Sequence, residues 1–246
     1  MNHNLKNKTV WITGGKRIGQ SVAEELASLG ANIVASYRSS KEEAEELVSK
    51  AKAHNVKTLV LQCDVSNRES VIGAVEKIKS EFGQLDILVL MASIFKPVKL
   101  EDISDKDFQS NFDVHIGGTF WPIQTSLSLM KPGSHIITIS DRTAIGKIYS
   151  GYLPYVVTKG AVANMTKALA VELGPKGIFI NSIAPGPILK PSEMVDKEWQ
   201  ELRNNSIIKH PINDEEAVME FVDTVVRLCF VRSSGSVYPL DLGHLW

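Results

Sequence analysis

Tyr155 and Lys159 stand four residues apart at the start of a predicted helix, so both side chains share one face. A tyrosine hydroxyl titrates near a pKa of about 10 and is a poor acid–base group at neutral pH. An adjacent ammonium stabilises the phenolate and lowers that value. Tyr37 and Lys41 repeat the spacing, but only Tyr155 follows a predicted strand with polar residues, Ser140 and Asp141, at its carboxyl end. Only its helix is otherwise small and apolar, through Ala161, Ala163, Ala168 and Ala170. Tyr155, Lys159 and Asp141 are therefore the candidates for proton transfer. Asp141 beside the tyrosine raises the phenol's pKa and opposes Lys159, so the expected balance is a protonated phenol poised to donate. Tyr155 is then the immediate donor, and Asp141 serves by hydrogen bonding to substrate or by resupplying the proton.

A second group binds rather than reacts. Lys8-Thr9-Val10-Trp11-Ile12-Thr13 reads as a strand, Gly14-Gly15-Lys16-Arg17-Ile18-Gly19 breaks it, and a helix begins at once. Unpaired amides at such a helix start, with the helix dipole, favour an anion, and glycine lets the main chain approach it. The second strand ends Ser36-Tyr37-Arg38-Ser39-Ser40 with no acid. A carboxylate there would bind a free ribose 2′-hydroxyl, whereas the Arg38 fork and Ser39, with Lys16 and Arg17 across the crevice, suit a 2′-phosphate. The expected dinucleotide is NADPH. Asp64, ending the third strand, is placed to hold the adenine amino group or to start a helix.

Strand and helix patterns that position these groups alternate along all 246 residues. Apolar strands are predicted at 32–37, 58–63, 87–92, 135–140, 179–184 and 237–242. Between them, helices bury Ile18, Val22, Leu26 and Leu29, then Ala44, Leu47, Val48 and Ala51, then Val71, Ala74, Val75, Ile78 and Phe82. Capping boxes are expected at Ser40 to Glu43 and Ser66 to Glu69, and an Asn213 cap opens a helix with Arg227 in its last turn. A long helix is expected from Ser104 past Phe120. Continuous apolar strands separated by helices imply a parallel sheet covered on both faces. The expected fold is α/β, one doubly wound Rossmann-type domain over residues 1–246.

Composition narrows the function classes. Hydrophobic residues make up 43% and charged residues 22%, with a net charge of −1, which argues against nucleic acid or membrane surfaces as partners. The apolar run at 87–92 is far too short to span a bilayer. Cys63 and Cys229 match no metal or redox spacing, and His3, His54, His135, His210 and His244 show no ligand spacing, so no metal is expected. With no signal peptide read at the amino terminus, the expected location is cytoplasmic.

Taken together, these motifs resemble the short-chain dehydrogenase/reductase family along essentially the full chain. The glycine turn at Thr13 to Gly19, Asp64, the Tyr155–Lys159 pair and Pro185-Gly186 carry the resemblance. It implies that Tyr155 protonates a carbonyl or imine as hydride arrives from the nicotinamide, while Lys159 binds the nicotinamide ribose and tunes the tyrosine. Lys16-Arg17-Ile18-Gly19, Tyr37-Arg38-Ser39, Ala92-Ser93 with Phe95, Asp141 where the family has Ser, and Gly151-Tyr152 resemble the pteridine reductase branch, including short-chain dihydromonapterin and dihydrofolate reductases. A pterin is flat, so Phe95 could stack on one face while the nicotinamide covers the other. The implied cofactor contacts are Gly14, Lys16, Arg17, Ile18, Arg38, Ser39, Asp64, Ala92, Tyr155, Lys159, Pro185 and Gly186. Those to substrate are Ser93, Phe95, Asp141 and Tyr152. Residues 187–210 are expected to form a lid, and a homotetramer is implied, consistent with Val156, Val162 and Leu169 on an apolar helix.

The chain also departs from the family. The glycine loop is one residue shorter, Leu90-Met91 replace a pair of Asn, and the segment from Asp141 to Tyr155 is one residue longer. His115 stands where an Asn relays protons behind the lysine, which reads as an altered relay. The leading expectation is an NADPH-dependent pteridine reductase. The alternatives are reduction of another carbonyl, such as a 3-oxoacyl thioester, and a regulatory NADPH-binding protein without turnover.

Overall fold

The computed structural model describes residues 4–15, 17–191, 194–208 and 213–244. Seven strands form one sheet in the order β3-β2-β1-β4-β5-β6-β7, every neighbouring pair parallel. They are β1 (Thr9–Thr13), β2 (Asn32–Tyr37), β3 (Thr58–Gln62), β4 (Ile87–Leu90), β5 (His135–Ile139), β6 (Phe179–Pro185) and β7 (Val237–Leu240). Successive strand residues face opposite sides. Val10, Ile12, Ile33, Ile87, Val89 and Ile137 therefore enter one core with α1 (Ile18–Ser28), α2 (Lys41–Lys52) and α8 (Asp214–Leu228). Trp11, Val34, Leu88, Leu90 and Ile136 enter the other, with α3 (Arg68–Phe82), α5 (Gly118–Ser126) and α6 (Leu153–Leu173). The fold is the expected doubly wound Rossmann-type sheet. α4 (Asp105–Asn111) and α7 (Asp196–Asn204) lie between strands and helices as shorter pieces.

Several local expectations are corrected. Ser40 makes no side-chain cap. At α3 the cap is Asn67, whose Oδ1 accepts from the Ser70 amide; Ser66 instead donates its hydroxyl to Asp64 Oδ1 at 2.6 Å. The expected helix from Ser104 is divided into α4, a π-helical turn at Phe112–Gly117, and α5. Pro122 has no amide to donate to Gly118 and crowds its carbonyl, which disfavours a regular helix across that turn. Gly118 packs so closely that a Cβ would sit 2.7 Å from Val65. The Asn213 capping box is present as expected.

The sheet order determines where the site lies. β1 is flanked by β2 and β4, so the chains leaving β1 and β4 diverge and open a crevice at their carboxyl ends. The glycine turn follows β1, Ala92 and Ser93 follow β4, Asp141 follows β5, and Gly186 follows β6. Gly14 has φ +67°, and a Cβ there would meet the Ala92 backbone at 2.8 Å. A side chain at Gly186 would likewise strike the Asp241 carbonyl oxygen at 2.7 Å. Both glycines allow neighbouring strand exits to touch.

Candidate active site

Two cavities meet along this edge. One, of about 410 Å³, is a crevice lined by Gly14, Gly15, Ile18, Arg38, Ser39, Asp64, Ala92 and Ser93, among others. The other, of about 480 Å³, is lined by Phe95, Asp141, Tyr149, Tyr152, Tyr155, Pro185, Gly186 and the apolar side chains of 188–202. Ile18 and Met91 belong to both walls, so the two spaces adjoin. An elongated dinucleotide fits this arrangement, with its reacting end at the junction. The first turn of α1 has no side-chain cap, which leaves backbone amides for an anion.

At the floor of the second cavity, the Tyr155 hydroxyl donates to Asp141 Oδ2 at 2.8 Å. Asp141 Oδ1 accepts from the Thr143 amide at 2.8 Å, so the carboxylate caps a short turn and is held in place. Burial first, then the Asp141 charge, pushes the Tyr155 phenol well above its ordinary pKa. Lys159, one turn along α6, donates to the Ile139 carbonyl at 2.8 Å, and its Nζ lies 5.7 Å from the centre of the Tyr155 ring. Burial lowers Lys159 to about 8. The lysine therefore does not bring the free phenol below its usual value; burial and Asp141 prevail, and Tyr155 carries its proton at neutral pH. A phenol held protonated beside a buried ammonium is an acid for substrate reduction.

A family model described as enoyl-(acyl carrier protein) reductase matches residues 14–241. The chain belongs to the short-chain dehydrogenase/reductase family. The 3-oxoacyl-(acyl-carrier-protein) reductase FabG of Staphylococcus aureus is 34% identical over 209 residues, covering 83% of each chain. A short-chain dehydrogenase/reductase structure from Serratia marcescens superposes with a TM-score of 0.90 at 28% identity, covering 99% of this chain and 100% of that one. A short-chain dehydrogenase from Burkholderia cenocepacia, solved in complex with NADP, gives a TM-score of 0.87 at 27% identity, covering 98% and 99%. A resemblance specific to pteridine reductases does not emerge from these relatives.

Within this short-chain dehydrogenase/reductase, most expected site residues border one cavity or the other. Arg17 does not. It has φ +64°, and its Nη1 donates to the Lys190 carbonyl of the expected lid at 2.6 Å. Lys16 and His210 lie outside the described residues. Ser93 faces the cofactor crevice but shares a 2.9 Å hydrogen bond with His115 Nε2. One face of Phe95 is already stacked on Tyr152, 4.4 Å between centres, and its ring also meets Tyr155 edge-on. Asp64 Oδ1 accepts from the Ser66 amide and hydroxyl, so Asp64 is a helix-entry residue as well as part of the crevice wall. Sequence reasoning missed Tyr149, Arg142 and Glu43. The only signal for Tyr149 was its proximity to Gly151-Tyr152, and for Glu43 its place in the first turn of α2.

His115 is held at both ring nitrogens. Its Nε2 accepts from the Ile94 amide at 3.2 Å, so Nδ1 carries the proton and donates to Thr158 Oγ1 at 2.8 Å. Thr158 in turn donates a hydrogen bond to the Pro154 carbonyl at 2.8 Å. Both ring nitrogens are committed to holding the chain after β4 against α6. Burial, reinforced by Lys159, lowers His115 to about 2. In the unfolded chain it takes up a proton below about pH 6.5, whereas the folded protein keeps it neutral, so acid favours unfolding across that window. His115→Asn keeps a donor and an acceptor without titrating. Between pH 7.5 and pH 5 the variant should lose about 2 kcal/mol less stability than the unaltered protein in chemical denaturation. Equal losses would show that His115 is not held neutral.

Proposed function

We propose that this protein is an NADPH-dependent reductase in which Tyr155 protonates the substrate oxygen or nitrogen as the adjacent carbon accepts hydride. The observation that carries the reading is the Tyr155–Asp141 hydrogen bond in the wall of the second cavity, with Lys159 one turn away. When bound, the reduced nicotinamide supplies the hydride. Arg38 and Ser39 hold the 2′-phosphate end, Gly14 and Ile18 border the pyrophosphate path, and Lys159 takes the ribose next to the nicotinamide. Tyr155 gives up its proton, the Lys159 ammonium balances the phenolate, and Asp141, 2.8 Å away, passes on to the phenolate a proton that it first takes from water.

The first substrate class is a 3-oxoacyl thioester or a similar carbonyl, supported by the Staphylococcus aureus relative and its substrate. This reverses the order suggested by the sequence motifs. The second class is a pteridine, favoured by one feature of the site: aromatic rings of Phe95, Tyr149 and Tyr152 stand beside a carboxylate in place of the family's Ser. NADPH oxidation should be measured with an acetoacetyl thioester, dihydrobiopterin and dihydrofolate. Binding of NADPH without oxidation by any of a broad panel would replace the enzyme reading with a regulatory one. Tyr155→Phe should lower kcat by about 100- to 10,000-fold and leave the Kd for NADPH unchanged. Arg38→Asp should weaken NADPH and spare or improve NADH; a preference of the unaltered protein for NADH in titration would sink the 2′-phosphate assignment.

Self-association into a symmetric homo-oligomer, expected to be a tetramer, is part of the same proposal. Val162, expected at the interface, is buried within the subunit, so the exposed apolar surface of α6 is that of Leu153 and Val157, 44% and 41% exposed, with Phe108 and Phe112 near α4. Light scattering at micromolar concentration should give a multiple of the chain mass, and a monomer would remove this element.

A further inference from the structure

Arg142 is a residue of the substrate pocket that neither the proton transfer nor the packing accounts for. It follows Asp141 in the short turn after β5, lines the larger cavity, and is only 7% exposed. Its Nη1 donates to the His244 carbonyl at 2.6 Å, and its guanidinium carbon lies 5.7 Å from the centre of the Tyr149 ring. A guanidinium has five N–H donors, and these contacts leave most of its fork unused. Among the described residues, no carboxylate forms an ion pair with it. The neighbouring Asp141 directs its two oxygens to Tyr155 and to the Thr143 amide.

A buried cation without a counter-ion is costly, and an anion from outside recovers that cost through charge-assisted, two-point hydrogen bonding. The surroundings point the same way. Lys147 lines the same cavity. His244 is lowered to about 4, chiefly by burial and then by the charges of Arg142 and Arg203, which outweigh Asp241. At Tyr155, Arg142 acts against Asp141, so its charge reaches the reacting phenol.

We propose that Arg142 is the anion anchor of this pocket and that the substrate carries a carboxylate, gripped by the guanidinium fork while its reducible carbon faces Tyr155. A planar, singly charged carboxylate matches the fork and the aromatic walls, and the nearby Asp141 charge disfavours a dianion. The second half rests on the reductase reading; the anchor holds a carboxylate whether or not the bound molecule is reduced.

The test uses the full chain saturated with NADP⁺ and compares benzoate with its neutral counterpart benzamide by isothermal titration. Benzoate should bind the unaltered protein about 10- to 100-fold more tightly, the range of a charge-assisted hydrogen bond. Arg142→Gln should erase that preference, Arg142→Lys should keep part of it, and Arg232→Gln, on the exposed surface, should keep all of it. Equal affinities for the two probes in the unaltered protein, or an Arg142→Gln variant with the preference intact, overturns the anchor. Should Arg142→Gln fail to fold, the unaltered protein and Arg142→Lys decide the matter. Loss of the reductase reading is separable: the benzoate preference persists while no carbonyl substrate oxidises NADPH.

Discussion

Parallel pairing governs the whole molecule. Seven strands running one way put all seven carboxyl ends on one edge, and each return path has to cross a face of the sheet. The crossing helices bury both faces, which is why β1 sends Val10 and Ile12 to one core and Trp11 to the other. Polar and glycine-rich chemistry is confined to the strand exits because the strands themselves have no face left for water. The order reversal beside β1 then opens the crevice. The site occupies the one edge where the fold leaves backbone ends, helix starts and loops side by side.

Within that edge, the electrostatics are arranged around charges that water cannot reach. Tyr155, Asp141 and Lys159 are all buried, so each sets the protonation of the others more strongly than it would in solvent. Asp141 and burial keep the phenol protonated, and burial makes the ammonium easier to deprotonate than a surface lysine. A serine in place of Asp141 would leave the phenol without an anionic acceptor. The carboxylate thus alters the resting state of the donor as well as the polarity of the pocket. This feature separates the chain most clearly from the serine pattern expected of its family, and its direct effect is on the protonation of Tyr155.

The strands, the paired cores and the Tyr155–Lys159 face were legible because each rests on local periodicity or on a short spacing. Asn213 and Ser104 were read correctly as helix starts, since a cap and its partner lie three residues apart. Ser66 was misread for the same reason: Asp64, two residues earlier, competes for its hydroxyl more closely than the helix end does. The roles of His115 and Arg142 were hidden. His115 is defined by Ile94 and Thr158, 21 and 43 positions away, and Arg142 by His244, 102 positions away. No periodicity encodes such pairs. The π-helical turn was equally hidden, because an apolar pattern does not reveal one extra residue in a turn that tertiary packing around Gly118 requires.

The turn after β1 has a physical consequence beyond the crevice it borders. Arg17 adopts a left-handed backbone, φ +64°, a conformation that costs a non-glycine residue of the order of 1 kcal/mol or more. The conformation sends its guanidinium to the Lys190 carbonyl in the segment that follows β6, rather than toward the ribose end near Arg38. That segment also holds Pro187, whose carbonyl accepts from the buried Arg203 of α7 at 2.7 Å. The turn after β1 is therefore joined to this segment through the Arg17–Lys190 hydrogen bond, and the segment to α7 through Arg203, with Ile18 contributing to both cavity walls. Arg17 thus ties the turn beside the first cavity to the segment whose Ile188, Leu189 and Pro191 line the second.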